Sequence, residues 1–230
     1  MMTIHGVPLS VHTRKAIVTA LLKGIAHRVE PVIPFNPPAN WAALSPTGLI
    51  PVLQDGDFTL PDSTAICLYM ERAAASPAIL PRDSRDYARA LWLDAFAGGT
   101  IFRHVVHGLF VQKIIRPLIL KQPTDQAAID AILATQQPKV FRTLEAQAAE
   151  AQGGFLVGDA LSLADIAVAS NLINYQYLGF AIDRALYPRL ADYARRIAAL
   201  PVFQEALAAE APFAAQMGLD RAFLAAGAGD

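Results

Sequence analysis

The sequence predicts a mixed α/β unit followed by an all-helical one. Three observations carry this. Short strand and helix patterns alternate over the first 75 residues in the order βαβ, helix, ββα. A stretch rich in proline and small residues runs from Ala74 to Asp83. Beyond it strand signals are absent, and Ala and Leu recur at helical spacing. The expected units are 1–75, a linker at 76–84, and a helical unit over 85–230.

Residues 2–5 form a first strand candidate, followed by the turn Gly6-Val7-Pro8-Leu9-Ser10. From Thr13 to Lys23, Ala16, Ile17, Ala20 and Leu21 repeat at helical spacing, and Gly24 suits the stop. Residues 27–33, with Val29 and Val32, predict a second strand. The Pro-rich patch 34–38 leads to a short helix around Trp41. Val52-Leu53 and Phe58-Thr59-Leu60 flank Asp55-Gly56, a two-residue hairpin signal in which both loop positions need positive φ. Asp62-Ser63 then opens a third helix with Ala65, Ile66, Leu68 and Tyr69. Short polar side chains there cap free N–H groups, and spare donors at such a terminus suit a carboxylate.

Pro51 lies just before the third strand. Proline cannot donate to a ladder, so a trans Pro51 would simply open an edge strand. A cis Ile50-Pro51 bond would instead turn the Ile50 backbone groups outward. Those groups, facing a helix N-terminus, would hold a short peptide.

Helical patterns continue over roughly 84–119, 123–151, 162–178, 186–199 and 201–209. Pro117 and Pro138 predict kinks or breaks. Leu161-Ser162-Leu163-Ala164-Asp165-Ile166 has the form of a capping box with its hydrophobic staple. The tail after Pro212 either folds back over the body or hangs free.

Composition narrows the function. The 230 residues are 54% hydrophobic with a formal net charge of -1. That balance argues against general nucleic-acid binding. No apolar run approaches the roughly 20 residues of a membrane span, and MMTIHGVPLS lacks a secretory pattern. One cysteine excludes an intramolecular disulfide and a Cys-rich metal site. A soluble cytoplasmic protein without a metal, without nucleic acid and without a membrane partner is expected.

The segment Ser45-Pro46-Thr47-Gly48-Leu49-Ile50-Pro51-Val52-Leu53, then Asp62-Ser63-Thr64-Ala65-Ile66, resembles the glutathione-binding half of the glutathione transferase family. The capping box, preceded by Phe155-Leu156-Val157-Gly158-Asp159, is similar to that of the family's helical domain. The resemblance implies a thioredoxin-like N-terminal domain, an all-helical C-terminal domain and a cis Pro51. It gives Ile50 the cysteinyl part of glutathione, and Asp62 and Ser63 the γ-glutamyl end. It also implies a twofold homodimer across the third and fourth helices.

Pro8-Leu9-Ser10-Val11-His12-Thr13-Arg14-Lys15 is similar to the serine-type pattern, which makes Ser10 the catalytic candidate. Conjugation needs a thiolate, and a free thiol with a pKa of about 8.5 is mostly protonated at neutral pH. A hydroxyl donating to sulfur, at the positive end of a helix, favours the charged form. The alternative role for Ser10 is a helix cap. Thr13 is the rival hydroxyl, His12 reads as a solvated loop histidine, and Cys67 as a buried packing residue.

Three departures from the family pattern stand out. Leu49 replaces the usual Lys or Gln, Asn36 (with Asn40 nearby) stands where a cation commonly meets the glycyl carboxylate, and Asp62 is shorter than Glu. Arg14 or Arg103 could supply the missing cation. Phe102, His104 and His107, at helical spacing, are candidates for the electrophile pocket. His104 and His107 lack a third metal ligand nearby. A Ser-Ser-Cys-like isomerase loop is absent. The expected activity is transfer of glutathione sulfur to hydrophobic electrophiles. The alternatives are a non-catalytic binding or regulatory protein and a glutathione-dependent peroxidase.

Overall fold

A computed structural model describes residues 1–151 and 153–225. Strand β1 (Met2–His5) is buried along its whole length, because it has neighbours on both sides. It pairs parallel with β2 (His27–Glu30) and antiparallel with β3 (Val52–Asp55), which pairs antiparallel with β4 (Phe58–Pro61). The order is β2-β1-β3-β4. Parallel β1 and β2 cannot share a hairpin; helix α1 (Val11–Leu22) connects them. Gly24, at φ 62°, follows its end.

The second strand stops at Glu30 rather than reaching residue 33, because Pro31 has no N–H to continue the ladder. Asp55 pairs with Phe58, so the hairpin loop is Gly56-Asp57, one residue later than Asp55-Gly56. Only Gly56 has positive φ, since a loop led by glycine needs it at the first position alone. The short helix α2 (Trp41–Leu44) buries Trp41 against Val32 and Val52. Helix α3 (Ser63–Ala73) closes this part.

The rest is helical. A continuous rod over 84–119 begins as α4 (Ser84–Phe96), widens into π-helical Ala97–Val106, tightens at α5 (His107–Phe110) and widens again over Val111–Ile119. The return rod comprises α6 (Gln126–Ala131), π-helical Ile132–Gln136 and α7 (Gln137–Glu150). Pro117 lies in one π-helical segment and Pro138 directly after another. A proline lacks the N–H of its turn and crowds the carbonyl four residues back; Pro117 falls where the helix is wider, and Pro138 sits in the first turn of α7.

Helix α8 (Leu163–Tyr177) is buried on nearly every side and forms the centre of the bundle. Helices α9 (Pro188–Ala198) and α10 (Pro201–Gln216) pack around it. Helix α10 runs through Pro212 to Gln216, beyond the expected end at 209. Pro212 is exposed, so water can satisfy the carbonyl it leaves unpaired. The tail returns to the body through Asp220 N–H to Tyr177 C=O (3.0 Å), and α11 (Ala222–Ala225) sets Phe223 against Tyr177. The Ala-Gly-Ala-Gly-Asp ending lies outside the described residues.

Ser162 and Asp165 form the capping box of α8. Asp165 Oδ2 accepts from the Ser162 N–H (3.0 Å) and hydroxyl (2.8 Å), and Oδ1 from the Leu156 N–H (2.8 Å) and Tyr193 hydroxyl (3.1 Å). Burial nonetheless pushes the Asp165 carboxyl above its ordinary pKa.

Ser162→Ala is expected to cost about 1 kcal/mol in urea unfolding. Asp165→Ala should cost at least about 3 kcal/mol, because it strands several buried donors. Equal losses for the two would overturn this ranking. A second expectation concerns Arg14 and Glu210, both fully buried and paired through two bonds of 2.5 and 2.7 Å. Glu210→Gln leaves the guanidinium without its counter-charge and should cost about 3–5 kcal/mol, whereas replacing both residues by Met should recover most of that.

Candidate active site

The N-termini of α1 and α3 open at the same end of the molecule. The two helices pack side by side: Lys15 Nζ donates to Thr64 Oγ1 (2.8 Å), and Thr19 Oγ1 to Cys67 Sγ (3.2 Å). Ser10 is the N-cap of α1. Its carbonyl accepts the Arg14 N–H at 2.8 Å, but its hydroxyl accepts the Thr13 N–H only at 3.4 Å. That contact is long for a hydrogen bond, and the half-exposed hydroxyl can exchange it for a ligand atom.

The loop before Ser10 is held on two sides. A Cβ on Gly6 would lie 2.5 Å from Thr13 Oγ1 and 3.4 Å from Ile50 Cβ, so glycine lets β1, α1 and the Pro51 turn close together. Asn174 Nδ2 on α8 donates to the Leu9 carbonyl (3.0 Å), while its Oδ1 accepts from Arg14 (2.7 Å). Thr13, the rival hydroxyl, is fully buried beneath Gly6, its Oγ1 without a hydrogen-bond partner among the described residues.

The Ile50-Pro51 bond is cis, with Pro51 buried and Ile50 half-buried. Asp62 holds φ 81°, rare for a residue with a side chain. Its Oδ1 caps α3 through the Thr64 (2.9 Å) and Ala65 (3.0 Å) N–H groups, leaving Oδ2 for a ligand. Ser63 is buried with no hydrogen bond from its hydroxyl among the described residues. Asn36 is not drawn into this group by any side-chain bond. It stands exposed in a turn closed by its own N–H to the Ile33 carbonyl (3.0 Å). Leu49 is 66% exposed.

The opposite wall is the π-helical Ala97–Val106. Its bonds run from residue i to i+5, and the His107 N–H donates to the Phe102 carbonyl. Phe102 and His107 therefore meet as tilted rings, with centroids 5.5 Å apart and planes at 54°. The helical spacing pointed to Phe102, His104 and His107 together; the π turn brings Phe102 to His107, and His104 makes no ring contact among the described residues. His104 is exposed, and no group of three or more metal-ligating side chains occurs among the described residues.

His12 is no solvated loop residue. It sits in the first turn of α1, edge-on to Phe102 at 4.7 Å, and its Cε1 would lie 3.8 Å from a Cβ on Gly98. Burial, reinforced by Lys15, lowers its pKa to about 4, against the upward pull of Asp62 and Asp94. Such an imidazole is too weak a base for a thiol proton. Its signal in the sequence is the Gly98-Gly99 pair, which leaves room for a ring on the facing helix.

Arg14 cannot meet a ligand carboxylate, since burial commits it to Glu210, Asn174 and the Ser170 carbonyl. Arg103 remains exposed. Burial raises the Cys67 thiol to about 11, as befits a packing residue. Two surface clefts of about 410 and 380 Å³ lie elsewhere, the first beside Ile182 and Phe223, the second beside Val29 and Phe213. Neither includes a predicted site residue.

A small mixed four-stranded sheet joined to a helical bundle through this cleft is the glutathione S-transferase fold. The family's N-terminal domain model matches residues 4–78 and its C-terminal domain model residues 110–210. The chain is 31% identical over 170 residues to a probable maleylacetoacetate isomerase of Vibrio cholerae, covering 73% of this chain and 75% of that protein. It is also 31% identical over 170 residues to human glutathione S-transferase theta-1, covering 72% and 69%. A glutathione S-transferase crystal structure from Rhodospirillum rubrum superposes with a TM-score of 0.81 at 24% identity, covering 90% and 92%. The chain belongs to the glutathione S-transferase family.

The His12 geometry has a pH signature. Its imidazole titrates near 4 when folded, against about 6.5 unfolded. The folded state thus takes up that proton later, and the stability it contributes is whole above about pH 6.5 and lost as pH falls through the folded value. The loss should reach on the order of 2–3 kcal/mol. Unfolding curves from pH 7 to 4 should be flatter for His12→Gln; an unchanged slope would remove His12 from this role.

Proposed function

We propose that this chain is a serine-type glutathione transferase that conjugates glutathione to hydrophobic electrophiles. In this reading glutathione lies across the N-termini of α1 and α3. The Ile50 backbone, exposed by the cis Pro51 turn, pairs with its cysteinyl part. Asp62 and Ser63 hold the γ-glutamyl end, with Asn36 toward the glycyl end. Ser10 donates its hydroxyl to the sulfur, and the N-terminal end of α1 adds its partial positive charge. Phe102 and His107 line the electrophile side.

The observation that carries this reading is the long Ser10 cap contact of 3.4 Å, beside an α3 terminus whose Asp62 retains a free oxygen. A thiolate is the reactive form, so each pKa unit removed is worth about 1.4 kcal/mol. Hydrogen bonds that strengthen as charge gathers on sulfur stabilise it selectively.

A homodimer across α3 and α4 fits the exposed apolar side chains there. Phe58 stacks on Tyr69 at 5.2 Å and Trp92 on Phe96 at 5.8 Å, with Phe58 44% and Trp92 46% exposed. A non-catalytic binding protein is the second reading, motivated by exposed Leu49 and by Asn36 in place of a cation. A cytoplasmic location is part of the proposal; no described helix is long and apolar enough to cross a membrane.

Calorimetric titration with glutathione, followed by a conjugation assay, separates these readings. Ser10→Ala is expected to bind glutathione within a few-fold of wild type but to lose about 10–100-fold in kcat/KM at neutral pH, as a thiol pKa one to two units higher requires. Its thermal stability should fall only by the value of a cap, about 1 kcal/mol. Binding without conjugation in the wild type would favour the non-catalytic reading, and an unaltered Ser10→Ala rate would dismiss the serine.

A further inference from the structure

We propose that the electrophile side of the cleft selects anionic partners: conjugated electrophiles bearing a carboxylate or sulfonate, with Arg103 as the specificity-determining residue. This rests on the transferase reading above. From Ala95 to Thr124 the sequence contains no Asp or Glu, yet Arg103, Lys113, Arg116 and Lys121 all fall there. The chain as a whole is nearly balanced at -1, so one sign of charge is concentrated on the later part of the first rod, residues 95–119, and the turn after it. That rod supplies the wall formed by Phe102.

Three of these cations are occupied. Lys113 lies over the Phe180 ring at 5.7 Å, Arg116 donates to the Pro123 carbonyl (2.8 Å) and Lys121 to the Leu118 carbonyl (2.8 Å). Arg103 is exposed and has no hydrogen bond or ion pair among the described residues. It directly follows Phe102, whose ring meets both His12 and His107.

The carboxylates that act on His12 belong to Asp62 and Asp94. Asp62 caps α3, and Asp94 is bonded to Lys15 (2.7 Å) and Thr64 (2.6 Å). Asp94, on α4, is thus held toward α1 and α3, and the free guanidinium of Arg103 stands further along the same rod. An aromatic ring packed on Phe102 can direct an anionic substituent to Arg103, whose planar fork matches a carboxylate. Neutral His12 adds no charge of its own to this end of the cleft at neutral pH.

The test uses two aryl chlorides, chlorodinitrobenzene and its carboxylate analogue chlorodinitrobenzoate. In both, the glutathione thiolate forms a C–S bond, the C–Cl bond breaks and chloride leaves with the bonding pair; the thiol proton goes to solvent. Arg103→Gln is expected to raise KM for the benzoate about 5-fold, as a solvent-screened charge pair permits. The neutral probe and the KM for glutathione should move less than about two-fold, a selectivity that loss of a solvated charge alone would not produce. Arg103→Lys should restore most of the loss, and added KCl should weaken only the benzoate in the wild type. An equal response of both probes overturns the inference while the transferase reading stands. A rise confined to the KM for glutathione overturns it too and assigns Arg103 to the tripeptide. If the wild type neither binds glutathione nor conjugates the neutral probe, the underlying reading fails and takes this one with it.

Discussion

Helix α1 and the cap that ends it carry three cations into the protein interior, and each must meet an acceptor there. Arg14 finds Glu210 on α10 and the Ser170 carbonyl and Asn174 side chain on α8. Lys15 finds Asp94 on α4 and Thr64 on α3. Lys23, just past the helix, finds Glu71 on α3 and the Pro77 carbonyl (both 2.7 Å). An ion taken from water costs several kcal/mol unless it is paired. Arg14 and Lys15 therefore tie the strand-bearing part to the helical part through specific partners. The same requirement makes the contact between them specific rather than merely apolar.

That constraint positions the cleft. With its cations tied to α3, α4, α8 and α10, α1 cannot slide or turn, and its N-terminus with Ser10 stays beside the N-terminus of α3. Asn174 joins the two tasks, accepting from Arg14 and donating to the Leu9 carbonyl just before Ser10. Anchoring and positioning are thus one network. Its cost is a site whose geometry depends on ions far from the ligand.

Local chemistry was legible in the sequence. The third helix begins at Ser63 with Asp62 as its cap, because a carboxylate reaches N–H groups two and three residues on in any context. The capping box at Ser162 and Asp165 was legible for the same reason, as were most helix positions, though α10 runs seven residues past its expected end. The hairpin was legible but not its register, since Asp55-Gly56 and Gly56-Asp57 differ by one pairing step that the strands decide. The burial of His12 was not legible. It depends on Phe102 and Gly98, far along the chain. Nor was the Phe102–His107 contact, because a pattern of apolar residues does not distinguish π-helical from α-helical turns.

The sequence by itself determined the elements, their order, their caps and the family, because these follow from bonds between residues a few positions apart and from short motifs. Only the tertiary structure decided that Arg14 is an internal clamp rather than a ligand for a carboxylate, and that His12 is a neutral wall. Charge and burial are properties of the surroundings. The partner of Arg14 lies 196 residues away, and the energy that makes that pair obligatory exists only once water has been excluded from both.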